Sequence, residues 1–149
     1  MRRIHPFSAA TAVLAAVSAA ALLPALTLAT PASATATCAG TSLVNGLFLR
    51  TPIRVPTVGN STPNQWDCML GPGDTSTAVA RLQIDLNDCY GNKLTVDGIY
   101  GTNTKNAVIA VQHGEGVPQD GVYGPVTIES FWYQRSGQPA GACDVIPGS

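Results

Sequence analysis

The chain has 149 residues, 45% of them hydrophobic and only 11% charged, with eight Lys and Arg against nine Asp and Glu. That length allows one domain with a modest core, and a formal charge of −1 excludes the basic face that nucleic acid or an anionic membrane would need. Four cysteines without any C-x-x-C spacing argue against a zinc or redox centre and for two disulfides in an oxidising compartment.

At the N-terminus, Arg2 and Arg3 precede an uncharged Ala/Leu/Val-rich run from Ala9 to Ala29. Small-residue cleavage frames follow at Ala32-Ser33-Ala34 and Ala34-Thr35-Ala36. Residues 1–36 therefore read as a signal peptide. Pro24 and the cleavage frames argue against a membrane anchor. Without this leader the charge falls to about −3, and no membrane contact is expected.

Residues 37–72 read as an extended, loop-rich segment. Val44-Asn45-Gly46-Leu47 carries a hairpin-type turn, while Pro52, Pro56 and Pro63 demote any long central strand. Three disulfide pairings are open. The favoured one joins Cys38 to Cys68, clasping this segment, and Cys89 to Cys143, tying the C-terminal tail (136–149) back to the first helix.

A helical pattern begins after Gly73. Asp74, Thr75 and Ser76 are candidate N-caps, and Val79, Leu82, Gln83 and Leu86 fall on one face. The helix is expected to stop near Cys89-Tyr90-Gly91. A second helix opens after Gly101, with Ala107, Val108 and Val111 on one face, and ends near Gly114. A third starts at Pro125 and runs to about Gly137, with Ile128, Phe131 and Trp132 inward. The expected fold is all-α: a compact three-helix bundle.

Between these helices the chain repeats itself. Asp97-Gly98-Ile99-Tyr100-Gly101-x-x-Thr104 and Asp120-Gly121-Val122-Tyr123-Gly124-x-x-Thr127 share one D-G-[IV]-Y-G-x-x-T phrase, 23 residues apart. Gly98 and Gly121 suit a positive φ, and Asp97 and Asp120 can accept from backbone N–H groups of the turn. Ile99 and Val122 are expected to point into the core. Most of the phrase therefore builds loops.

With Val79-Ala80-Arg81-Leu82-Gln83-Ile84-Asp85-Leu86, Ala107-Val108-x-x-Val111-Gln112 and Gly116-Val117 around these turns, residues 73–134 resemble the peptidoglycan-binding-like domain. That family is a small three-helix module attached to many bacterial cell-wall hydrolases. One departure is Val111, where the family usually carries an aromatic; another is the Cys89 and Cys143 pair. The resemblance implies a non-catalytic domain (73–135) that binds peptidoglycan. A separate cell-wall hydrolase is a candidate partner, and the protein is expected to be a secreted or wall-associated monomer.

Such a ligand wants aromatic platforms and uncharged donors and acceptors. The candidate surface is Tyr100, Asn103, Asn106, Gln112 and Tyr123, with each Tyr equally readable as a half-buried cover for the core and Gln112 as a partner for a buried backbone group. Catalysis lacks its equipment: after the leader only His113 remains of the histidines, with no nucleophile motif beside it. No enzyme, metal or cofactor is expected. The alternative reading is a secreted effector or inhibitor of a protein partner, with the wall-binding fold as its scaffold.

Overall fold

The computed structural model describes residues 35–59 and 66–146. The expected leader, except Thr35 and Ala36, and Pro63 lie outside them. In chain order the elements are β1 (Ala36–Thr37), β2 (Gly40–Asn45), β3 (Pro52–Thr57), β4 (Cys68–Met69), α1 (Thr77–Tyr90), α2 (Thr102–Glu115), α3 (Pro125–Ser130), β5 (Trp132–Gln134) and β6 (Cys143–Val145).

The all-α bundle is therefore incorrect. Among the described residues only α1 and α2, of 14 residues each, are substantial helices, and three two-stranded sheets accompany them: β1 with β4 in parallel, β2 with β3 and β5 with β6 antiparallel. The reason lies in long-range pairing. The Pro-rich stretch forms an edge strand, which tolerates missing N–H donors. Its Ile53 and Val55 alternate into the core, and β3 lies against α1.

The third helix is also shorter than expected. After Ser130 the backbone turns extended at Phe131 (φ −84°, ψ 140°). Phe131 and Tyr133 are then buried while Trp132 between them is 36% exposed. That is the two-residue period of a strand, so Trp132 faces outward rather than into the core. Two side chains of α1 hold β5 in place: the Tyr90 hydroxyl accepts from Trp132 N (2.7 Å) and Asp85 Oδ1 from Gln134 N (2.9 Å).

Local signals position α1 well. The Ser76 hydroxyl caps its start by accepting from Val79 N (3.2 Å), and Gly91 ends it in the left-handed region. Its buried face, Val79, Leu82 and Leu86, meets Ile53, Leu70, Phe131 and Tyr133 in one core cluster. Phe131 sits among three tyrosines, with ring centroids 4.9 Å from Tyr90, 5.3 Å from Tyr123 and 5.1 Å from Tyr133. Edge-on and tilted packing of this kind adds to area burial alone.

Both favoured disulfides are present, Cys38–Cys68 and Cys89–Cys143. They close loops with sequence separations of 30 and 54. In the chain-entropy account each contributes roughly 4 kcal/mol.

Two Gln-latched turns and their clefts

The two repeated phrases fold as the same object twice. In the first turn the buried Gln83 of α1 donates through Nε2 to Asp97 Oδ1 (2.8 Å), Ile99 O (3.1 Å) and Thr104 Oγ1 (3.2 Å), and its Oε1 accepts from Gly98 N (2.9 Å). In the second the buried Gln112 of α2 donates to Asp120 Oδ1 (2.8 Å), Val122 O (2.9 Å) and Thr127 Oγ1 (3.0 Å), and accepts from Gly121 N (2.9 Å). Asp97 and Asp120 also accept from the N–H two residues on, at 2.9 and 2.8 Å. One carboxamide thus satisfies a whole turn that would otherwise bury unpaired groups. Gly98 and Gly121 adopt φ of 73° and 69°, which a residue with a Cβ rarely does.

The preceding segment pins both turns as well. Tyr100 N donates to Asp74 O (2.8 Å) and Ser76 N to Gly98 O (3.0 Å), while Leu70 and Tyr123 exchange two backbone bonds of 2.9 Å each. Helix α2 therefore has two jobs: it closes the first turn with Thr104 and latches the second with Gln112.

This geometry sorts the expected surface residues. Tyr100 and Tyr123 are 1% and 0% exposed, so neither ring offers a face to a ligand. The Tyr100 hydroxyl donates to Gly121 O (2.9 Å), joining the two turns; Tyr123 donates to Tyr133 (2.7 Å), which donates to Ile128 O (3.1 Å). Burial pushes all three phenols up from their ordinary value. Gln112 is enclosed by its latch. Asn103 and Asn106 are exposed, one turn apart on α2. Ile99 and Val122, expected inside, point the other way: Ile99 is 50% exposed and Val122 half-buried. In each turn the Tyr takes the core position and the aliphatic residue the outer one.

The outward residues line two equivalent clefts. The first, about 210 Å³, is bounded by Thr95, Asp97, Ile99, Thr102, Asn103 and Thr104. The second, about 160 Å³, is bounded by Met69, Pro118, Asp120, Val122, Pro125 and Val126. Apart from Met69, which only the second has, they correspond position by position, but Thr95, Thr102 and Asn103 of one are Pro118, Pro125 and Val126 of the other. The first cleft is lined about equally by polar and apolar surface, whereas the second is mostly apolar. Asp97 at the first is held below the usual carboxylate range by the Gln83 amide and the Ile99 N–H, so it keeps its charge in mild acid. Of the residues around the first cleft, Thr95, Ile99 and Thr102 are not in the candidate surface read from the sequence; Ile99 and Thr102 are variable positions of the repeated phrase, and Thr95 lies two residues before it.

Among the described residues no cluster of three His, Cys, Asp or Glu could hold a metal ion, and no helix is long and apolar enough to cross a membrane. His113 is exposed in the last turn of α2.

Comparison with known proteins agrees with the latched region. The family described as "Putative peptidoglycan binding domain" matches residues 75–130. The chain is 35% identical over 83 residues to the N-acetylmuramoyl-L-alanine amidase CwlM of Mycobacterium tuberculosis, an alignment covering 56% of this chain and 20% of that protein. The chain thus spans about a fifth of the curated relative it matches. Among solved structures, an endolysin of the Burkholderia phage AP3 is similar, with 39% identity, 42% of this chain and 24% of that chain covered, and a TM-score of 0.40. So is a peptidoglycan-binding protein from Clostridioides difficile in complex with glutamine hydroxamate, with 23% identity, coverages of 58% and 53%, and a TM-score of 0.43. Disulfides and a wall-binding region together fit an extracellular or cell-wall location. The match to the family described as "Putative peptidoglycan binding domain" thus falls on residues 75–130, the stretch that holds both latched turns.

Proposed function

We propose that this is an exported protein that holds to peptidoglycan without cleaving it, through the cleft of the first turn. The observation that carries the reading is the coincidence of the family match at 75–130 with the duplicated latch, which leaves Asn103, Thr102 and Thr95 outward around a shallow cleft. Amide and hydroxyl groups at fixed positions suit a ligand rich in hydroxyls and amides. Asn106, one turn along α2, extends the same polar strip. The lone described histidine stands away from these residues, and Asp97 is already committed to the turn, which supports binding rather than hydrolysis.

Co-sedimentation of the oxidised protein with purified, protein-free peptidoglycan tests this. Saturable pelleting is expected, with an Asn103→Ala/Asn106→Ala variant weakened about tenfold, equivalent to roughly 1.4 kcal/mol. Release of soluble sugar or free amino groups should stay at background. Wild-type protein that remains in the supernatant sinks the binding claim.

A further inference from the structure

The loop joining β2 to β3 places three large apolar side chains in solvent: Leu47, Phe48 and Leu49 are 49%, 65% and 58% exposed. A flexible apolar loop would collapse or turn its residues inward. This one is held open. Asp144, fully buried in β6, accepts from Phe48 N and Leu49 N, each at 3.1 Å, with its two carboxylate oxygens. Leu47 N donates to Val145 O (2.8 Å) and Gly46 N to Thr51 O (2.9 Å). A side chain on Gly46 would fall on the Asp144 carboxylate, so the clamp closes only over glycine. The clamp orders the loop before any ligand arrives, which removes most of the entropy cost of using it.

Next to this tip stands Trp132, the outward residue of β5. The Phe48 and Trp132 rings lie 18° from parallel with centroids 6.1 Å apart. Both residues fall outside the family match at 75–130, in the parts of the chain that the wall-binding reading leaves unused.

We propose that Phe48 and Trp132, flanked by Leu47 and Leu49, form a second carbohydrate platform that stacks on the apolar C–H face of a pyranose ring in a glycan strand. Three features favour a sugar over other occupants. Four side chains are far short of the roughly 800 Å² per partner that a stable protein interface buries. Arg50 is the only cation in the 46–51 loop, and the chain as a whole carries nine acids against eight bases, which disfavours an anionic membrane. Near-parallel, exposed and pre-ordered rings match a rigid, flat and uncharged ligand. The inference rests on the wall-binding reading for its choice of glycan.

The test uses soluble glycan strands stripped of their stem peptides, titrated into the oxidised Trp66→Phe protein so that Trp132 alone reports by fluorescence. A saturable change is expected. Phe48→Ala should weaken it about tenfold, and Phe48→Tyr, which keeps a ring and adds no second tryptophan, should preserve it. Phe48 is mostly exposed, so the variant's unfolding midpoint is expected to match the parent's and thereby exclude misfolding. Should the glycan response be absent, or survive Phe48→Ala unchanged, while intact peptidoglycan still pellets the protein, the platform is refuted and wall binding stands. Should intact peptidoglycan also fail to pellet it, both readings fall. A Trp132 response to phosphatidylcholine vesicles but not to glycan, or concentration-dependent self-association that Phe48→Ala abolishes, would likewise overturn the proposal in favour of a membrane or a second copy.

Discussion

At the scale of single residues, the molecule turns on two glutamines. Gln83 and Gln112 each use one carboxamide to hold the N–H of a left-handed glycine and three oxygens. Truncating either leaves several of these groups buried and unpaired. Gln83→Ala and Gln112→Ala are each expected to cost about 2–4 kcal/mol in chemical denaturation. The two costs should be similar because the networks are copies. The repeated phrase made the turns legible in the sequence, since Asp, Gly and Thr act within a few residues of one another. Which of Ile99 or Tyr100 faced inward was not legible, because that depends on what lies behind the turn. The Tyr100 hydroxyl finds its acceptor at Gly121, 21 residues away.

Among the elements, α1 does most of the joining, and one of its contacts is pH-sensitive. Asp85 is fully buried, paired with Arg81 and bonded to Gln134 N on β5. Burial outweighs these favourable partners and raises its pKa to about 7. A carboxyl whose folded value is raised binds its proton more tightly in the native state. Its stabilising contribution is full below about pH 4 and is lost as pH rises through about 7. The slope is at most about 1.4 kcal/mol per pH unit for one proton. Thermal unfolding followed from pH 4 to pH 8 should therefore show this loss in the wild type and a flatter profile in Asp85→Asn. Asp144 works the opposite way. Although burial opposes it, the N–H groups of Phe48, Leu49 and Val145 hold its carboxyl below the usual range, so the exposed tip loosens only in acid. Start and stop of α1 were readable from Ser76 and Gly91. The end of α3 was not, because Ile128 and Phe131 also fit a helical spacing; the strand became visible only once β6 and the Cys89–Cys143 bridge supplied a partner for Trp132-Tyr133-Gln134.

For the whole molecule, the region with a family signature is not the region that makes a complete core. Ile53, Val55, Cys38, Cys68 and Ile146 all belong to the same buried cluster as α1 and lie outside 75–130. A fragment of residues 73–135 should accordingly lose its cooperative unfolding transition and its amide protection, whereas the full oxidised protein keeps both. The turn at Asn45-Gly46 signalled the hairpin of β2 and β3, whereas the pairings of β1 with β4 and β5 with β6 join residues too far apart for local propensity to show, which is why α1 and α2 were legible and those two sheets were not. The longer disulfide has one more effect. Cys89–Cys143 encircles both turns, α2 and α3, and the exposed stretch Pro118-Gln119-Asp120 lies inside that ring. A protease that cuts there converts the ring into two pieces still joined by sulfur. Nicked protein is expected to run as one band without reductant and as two with it, and to pellet with peptidoglycan as well as the uncut form. In surroundings rich in hydrolytic enzymes, this protein can be broken without coming apart.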